Sequence, residues 1–170
     1  MPSTAWNDLL VDGFDRIRGI VHQTVDGLGP AELTFRADPD ANTIAWLVWH
    51  IARIQDDHIA GLHDAEQRWN EGWYERFGLP FDRADHGYGH SADDVAAVRT
   101  DGADLLGYYD AVHDATLDYV RTISANDLSR IVDTSWDPPV TLGVRLVSVV
   151  SDNLQHAGQA ALIRGLALRS

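Results

Sequence analysis

An all-α fold, a four-helix bundle with a long connection between its second and third helices, is what this sequence predicts, and three observations carry the prediction. Apolar residues recur at three- and four-residue intervals in four long segments. No region is rich in strand patterns, and no internal repeat is present. Between the second and third segments lies a glycine-rich stretch, Glu71 to His90, with no sustained period. A single domain covering residues 1–170 is expected, since 170 residues of which 45% are apolar form a self-sufficient core.

The first stripe is Leu10, Phe14, Ile17, Val21 and Leu28, ended by Gly27, Gly29 and Pro30. Asn42 or Thr43 then caps a second helix carrying Ile44, Leu47, Ile51, Ile54, Ile59 and Leu62 and running to about Trp69. The Glu71 to His90 connector holds Gly72, Gly78, Pro80, Gly87 and Gly89. A connection of that length either crosses the bundle or covers a site, and it lets the second and third helices lie parallel. Ser91 with Asp94 reads as a shortened capping box, opening a third helix with Val95, Val98, Leu105, Tyr109, Val112, Thr116, Val120 and Ile123. Ser124-Ala125-Asn126-Asp127 breaks that pattern, and Asp137-Pro138-Pro139 forbids helix soon after, so Ile131 to Thr134 and Val140 to Leu142 are expected as a small hairpin. Thr141 caps the last helix, through Val147, Val150, Leu154, Ala157, Ala161 and Leu168.

Thirteen arginines face twenty-six acidic residues, for a formal net charge of −13. A field this negative repels a phosphate backbone or an anionic membrane surface, so neither nucleic acid nor membrane is an expected partner. Met1-Pro2-Ser3-Thr4-Ala5-Trp6 lacks the basic and apolar regions of a secretory leader, and the longest uncharged apolar run, Thr43 to Ala52, is about half a membrane span. A cytoplasmic location is expected. The absence of Cys removes a side-chain thiolate, and the absence of Lys removes Schiff-base chemistry. A metal or a borrowed cofactor is then needed for any difficult step.

Polar residues interrupt the apolar stripes at three places. His50 shares the inward stripe of Leu47 and Ile54. On the last helix the stripe Val149, Asp152, His156, Ala160 and Ile163 is polar only at Asp152 and His156, one turn apart. A lone inward His is commonly a hydrogen-bonded core residue, and an Asp–His pair at that spacing arises by chance on many helices. An inward carboxylate, however, loses hydration worth several kcal/mol and so requires a cation. One ion held by His50, Asp152 and His156 satisfies all three violations, although an arginine partner for Asp152 is an alternative. His58, two turns past His50, is too far to share that ion. His86 and His90 are expected in a solvated loop, Asp85-His86-Gly87-Tyr88-Gly89-His90, and His22, His63 and His113 show no convergent partner. Arg53 reads most simply as a helix-surface ion pair with Asp56 or Asp57. Trp46, Trp49, Trp69, Trp73 and Trp136 are expected in the core or in a pocket wall.

The segment from Asn42 through Trp46, Trp49, His50 and Arg53 to His58, with Asp152-Asn153-Leu154-Gln155-His156-Ala157-Gly158-Gln159, resembles the DinB-like superfamily. Within it the chain is most similar to the branch of mycothiol-dependent maleylpyruvate isomerase and mycothiol transferases. The resemblance implies a four-helix bundle, frequent homodimers and a divalent metal, zinc or nickel, held by one His of the second helix and two residues of the last. Those positions are His50, Asp152 and His156 here, with Asp one methylene shorter than the Glu of the isomerase branch. It also implies a low-molecular-weight thiol such as mycothiol as cosubstrate with an electrophilic substrate. Gln159 and Gln155 are then candidates to orient ligand or thiol, and Arg53 to hold an anionic group. Three protein ligands leave a fourth position open, to a thiol for S-transfer or isomerisation, or to water for hydrolysis. A non-catalytic metal-binding or stress-associated bundle is the remaining reading.

Overall fold

The computed structural model describes residues 5–170. Met1-Pro2-Ser3-Thr4, part of the stretch read as lacking a leader signal, lies outside the described residues. Four long helices form the bundle: α1 (Ala5–Val25), α3 (Ile44–Gly61), α6 (Gly102–Thr122) and α7 (Leu142–Ala167). Three short helices, α2 (Pro30–Leu33), α4 (Trp73–Phe77) and α5 (Ala92–Ala97), sit in the connections. A two-stranded antiparallel ribbon, β1 (Ile131–Asp133) and β2 (Val140–Thr141), precedes α7 as expected. No helix among the described residues is long and apolar enough to cross a membrane.

Each of α1 and α3 packs against both α6 and α7, so the helices follow one another around the bundle as α1, α6, α3, α7. Cross-links give the directions. Asn7 at the start of α1 donates to the carbonyls of Val120 and Ile123 at the end of α6, so those two are antiparallel. Arg53 meets Tyr108 and Gln55 meets Thr116, so α3 and α6 run parallel, as the long connector allows. Asn153 of α7 reaches Gln55 while His156 meets His50, which sets α7 antiparallel to α3. A buried string, Asn153 Nδ2 to Gln55 Oε1 and Gln55 Nε2 to Thr116 Oγ1, both 2.8 Å, pins three helices in one rotational register. The core falls into two layers, one around Ile17, Leu47, Trp49, Leu105 and Tyr109, the other around Phe14, Leu117, Leu142 and Leu146.

The caps hold where they were expected. Thr43 accepts from Trp46 N–H, Thr141 from Val144 N–H, and Ser91 with Asp94 makes a full capping box. Two helices are shorter than their apolar patterns. The second ends at Gly61 rather than about Trp69, because the buried carboxylate of Asp56 accepts the N–H groups of Arg68 (2.9 Å) and Trp69 (2.8 Å) and draws the chain back against α3. The third does not run unbroken from Ser91. It is interrupted after α5, and α6 restarts with Asp101 accepting from Asp104 N–H at 2.8 Å, a cap hidden inside an otherwise continuous stripe. Trp136 is exposed at the ribbon turn rather than in a core or pocket wall, whereas Trp46, Trp49 and Trp69 are buried.

Candidate metal centre

The antiparallel seam of α3 and α7 brings His50, Asp152 and His156 together, each offering a ligand atom within 4.8 Å of the others. His156 Nε2 lies 3.6 Å from Asp152 Oδ1, and the rings of His50 and His156 meet edge to face at 4.9 Å. His50 is buried, but Asp152 and His156 are half-buried, so the cluster sits at the mouth of the seam rather than deep in the core. The seam opens there because the inward positions of α7 are Leu146, Val149, Asn153, Ala157 and Ala160, and Asp152 is one step round from them.

Both imidazoles are held in one tautomer. His50 Nδ1–H donates to the carbonyl of His86 at 2.5 Å, and His156 Nδ1–H donates to Gln159 Oε1 at 2.9 Å, which leaves each Nε2 lone pair free. Burial above all, with the neighbouring His156 adding to it, pushes the His50 pKa down to about 4 despite the opposing pull of the His86 carbonyl, so its ring is neutral at pH 7. Asp152 Oδ2 is buried with no hydrogen-bond partner. Two imidazole nitrogens and a carboxylate oxygen that lacks any donor fit a divalent cation, which wants lone pairs and offers charge in return.

Of the other residues singled out in the sequence, Gln159 is at the site, bonded to His156. Gln155 turns along its own helix to Ser151, donating to its carbonyl and hydroxyl, and lines an open groove with Asp152, Val144, Val147 and Ser148. Arg53 is not a surface ion pair. It is fully buried, donating from Nε to Asp85 O (3.0 Å) and from Nη1 to Gln67 Oε1 (2.9 Å) and Tyr108 OH (3.2 Å), with Asp56 3.6 Å away. Its Nη2 has no hydrogen-bond partner. His58 stands apart from the cluster, and His22, His63 and His113 engage Asp110, Tyr119 and Asp15 respectively.

The turn holding His86 and His90 was expected in solvent and instead lies against the site. His90 is largely buried, stacked on Trp49, and the carbonyl of His86 is the partner of His50. Sequence reasoning missed that carbonyl because a backbone acceptor carries no residue signature. The available signal was Gly87 beside it, a residue that allows close backbone approach.

No curated protein sequence matches the chain. Among solved structures, a conserved protein from Enterococcus faecalis is similar at 29% identity over 99% of this chain and 100% of that one, with a TM-score of 0.92. A family model described as mycothiol-S-transferase matches residues 9–167. Because that match runs from within α1 to the end of α7 and takes in the whole bundle, the chain belongs to the mycothiol-S-transferase family, a branch of the DinB-like proteins.

Proposed function

We propose that this protein is a divalent-metal-dependent thiol S-transferase, a single bundle domain that takes a low-molecular-weight thiol of the mycothiol type and joins its sulfur to an electrophilic carbon. The observation that carries the reading is Asp152 Oδ2, a buried acceptor with no hydrogen-bond partner, in a residue whose carboxylate converges with the imidazoles of His50 and His156. His50, Asp152 and His156 would hold the ion through an N₂O donor set, and the family resemblance implies zinc or nickel there. Bound there, a divalent ion would supply the positive charge that lowers a thiol pKa from ~8.5 toward neutrality.

The chain's own residues do the rest. Gln159 orients His156, the His86 carbonyl orients His50, and the neutral His50 ring competes with no proton for its lone pair at pH 7. With no Cys in the sequence, the thiol comes from outside. The open face of α7 along Val144, Val147, Ser151 and Gln155 is the approach to Asp152. Addition to the carbon with loss of a leaving group gives S-conjugation. Addition and departure after bond rotation gives isomerisation. A reduced thiol cosubstrate fits a reducing cytoplasm, which is part of the proposal. A homodimer is part of the proposal, supported by Leu154 and Leu162, large apolar residues exposed on α7 outside that face.

The test is metal analysis of purified protein followed by thiol consumption with mycothiol and monochlorobimane. About one ion per chain is expected, with both metal and turnover lost in His50→Ala and His156→Ala. Turnover no faster than in metal-stripped protein refutes the transferase reading, and turnover of an ester panel without thiol would assign the site to hydrolysis instead.

A further inference from the structure

The 85–90 turn carries a second layer of organisation behind His50. The Asp85 carboxylate accepts Gly87 N–H at 2.8 Å and faces His90 Nε2 with both oxygens at 3.1 Å. On its other side His90 Nδ1 accepts the indole N–H of Trp46 at 3.0 Å, which fixes the His90 proton on Nε2, toward Asp85. Trp46 in turn stacks on His50, with ring centroids 4.7 Å apart and planes 10° from parallel. The loop closes on itself: Asp85 holds the turn, the turn presents the His86 carbonyl to His50, and the Trp46 ring that fixes the face of His50 is held by His90.

Gly87 sits at the centre of this loop. Its φ is +93°, and a Cβ there would lie 3.0 Å from His50 Nδ1, 3.0 Å from Trp49 Cζ3 and 3.1 Å from Trp46 Cζ2. A side chain at 87 therefore has to displace the ring of His50 or lift the turn, and either breaks the alignment with His86 O. The turn is anchored from below as well, since Arg53 Nε donates to Asp85 O.

We infer that Asp85, Gly87 and His90 are positioning residues of the metal centre, holding the turn so that His50 keeps its proton on Nδ1 and aims Nε2 at Asp152 and His156. The inference rests on the metal-site reading proposed above and adds to it residues that touch neither ion nor substrate. Removing the outer partner of a ligating histidine typically weakens metal binding ~10- to 100-fold.

The test is Co(II) titration of metal-free full-length protein, reading both affinity by chelator competition and the visible d–d spectrum. Wild type is expected to bind about one Co(II) per chain. Asp85→Asn is nearly isosteric but sets an amide N–H₂ or a lone acceptor against His90 Nε2–H and Gly87 N–H, and Gly87→Ala pushes on His50 directly. Each is expected to weaken Co(II) by ~10-fold or more and to alter the spectrum. Trp46→Phe keeps the stacking but removes the donor to His90, and serves if either variant fails to fold, with a loss of several-fold expected. Val120→Ala, a core truncation at the far end of α6, controls for lost stability and is expected to bind as wild type does. Wild-type affinity and spectrum in all three site variants would overturn the inference while leaving the metal centre standing. Absence of Co(II) and zinc binding by wild type would instead remove the metal reading, and this inference with it.

Discussion

Arg53→Met tests whether the connector is tied to the bundle by a buried charge. Arg53 is fully enclosed, its guanidinium lies 5.2 Å over the Trp69 ring, and its three hydrogen bonds reach the connector at Asp85, Gln67 in the segment that follows α3, and α6 at Tyr108. Methionine fills similar length but leaves all three acceptors without that donor and the Asp56 carboxylate without its nearby positive charge, while burial already raises its pKa against the pull of the Trp69 and Arg68 N–H groups, Tyr108 and Arg53. Removing one partner of a buried ion pair costs about 3–5 kcal/mol. At roughly 2–4 °C per kcal/mol for a chain of this size, the melting temperature should fall by roughly 10 °C. Thermal and urea denaturation followed by circular dichroism on metal-free protein measure it. A surface ion pair at the same positions would be worth under about 1 kcal/mol, so a loss of less than that refutes the buried tie. On the Arg53→Met background, Asp56→Asn should cost less than it does in wild type, since no guanidinium is left to strand.

Further outcomes concern the site and its surroundings. Gln159→Leu leaves His156 Nδ1–H without its acceptor and is expected to weaken zinc about 10-fold by competition titration with the fold intact; unchanged affinity would show that Gln159 does not orient the ligand. Metal-loaded wild type should melt higher than chelator-treated wild type, because a ligand of the folded form stabilises it, and His156→Ala should show no such difference. His113 is held below the ordinary imidazole range by burial, with Asp15 opposing. Below about pH 6.5 the unfolded chain therefore takes up a proton that folded His113 refuses, and stability declines as pH falls toward the folded pKa. His113→Gln should flatten part of that decline between pH 7.5 and 5.5 in urea titrations, and an unchanged slope would count against it.

Helix periods and caps were legible because they are local. Thr43, Ser91 and Thr141 announce their helices by residue type, and the Asp152 to His156 spacing depends only on helical rise. The convergence of His50 with that pair was expected from stripes read as inward, although α7 turns Asn153 inward and leaves Asp152 and His156 half-buried at the mouth of the seam. What escaped depends on partners distant in sequence. Asp56 ends α3 early by capturing backbone twelve and thirteen residues away, and nothing in the apolar pattern to Trp69 records this. Asp101 lay within an uninterrupted stripe, so its capping role was masked by hydrophobic continuity. Arg53 looked like a surface residue because its i+3 and i+4 neighbours are acidic, whereas its partners Asp85 and Tyr108 come from the connector and α6. His86 acts through its main chain, which leaves no trace in residue type.

The seam between α3 and α7 joins residue 50 to residues 152 and 156, so its two sides are separated by most of the polypeptide. During synthesis a nascent chain lacking its last helix presents only a single imidazole, and no partial fold can capture an ion in the arrangement described. On the metal reading proposed above, loading would come late, only once α7 has been made and docked on α3, and the ion would clasp parts of the chain made early and late.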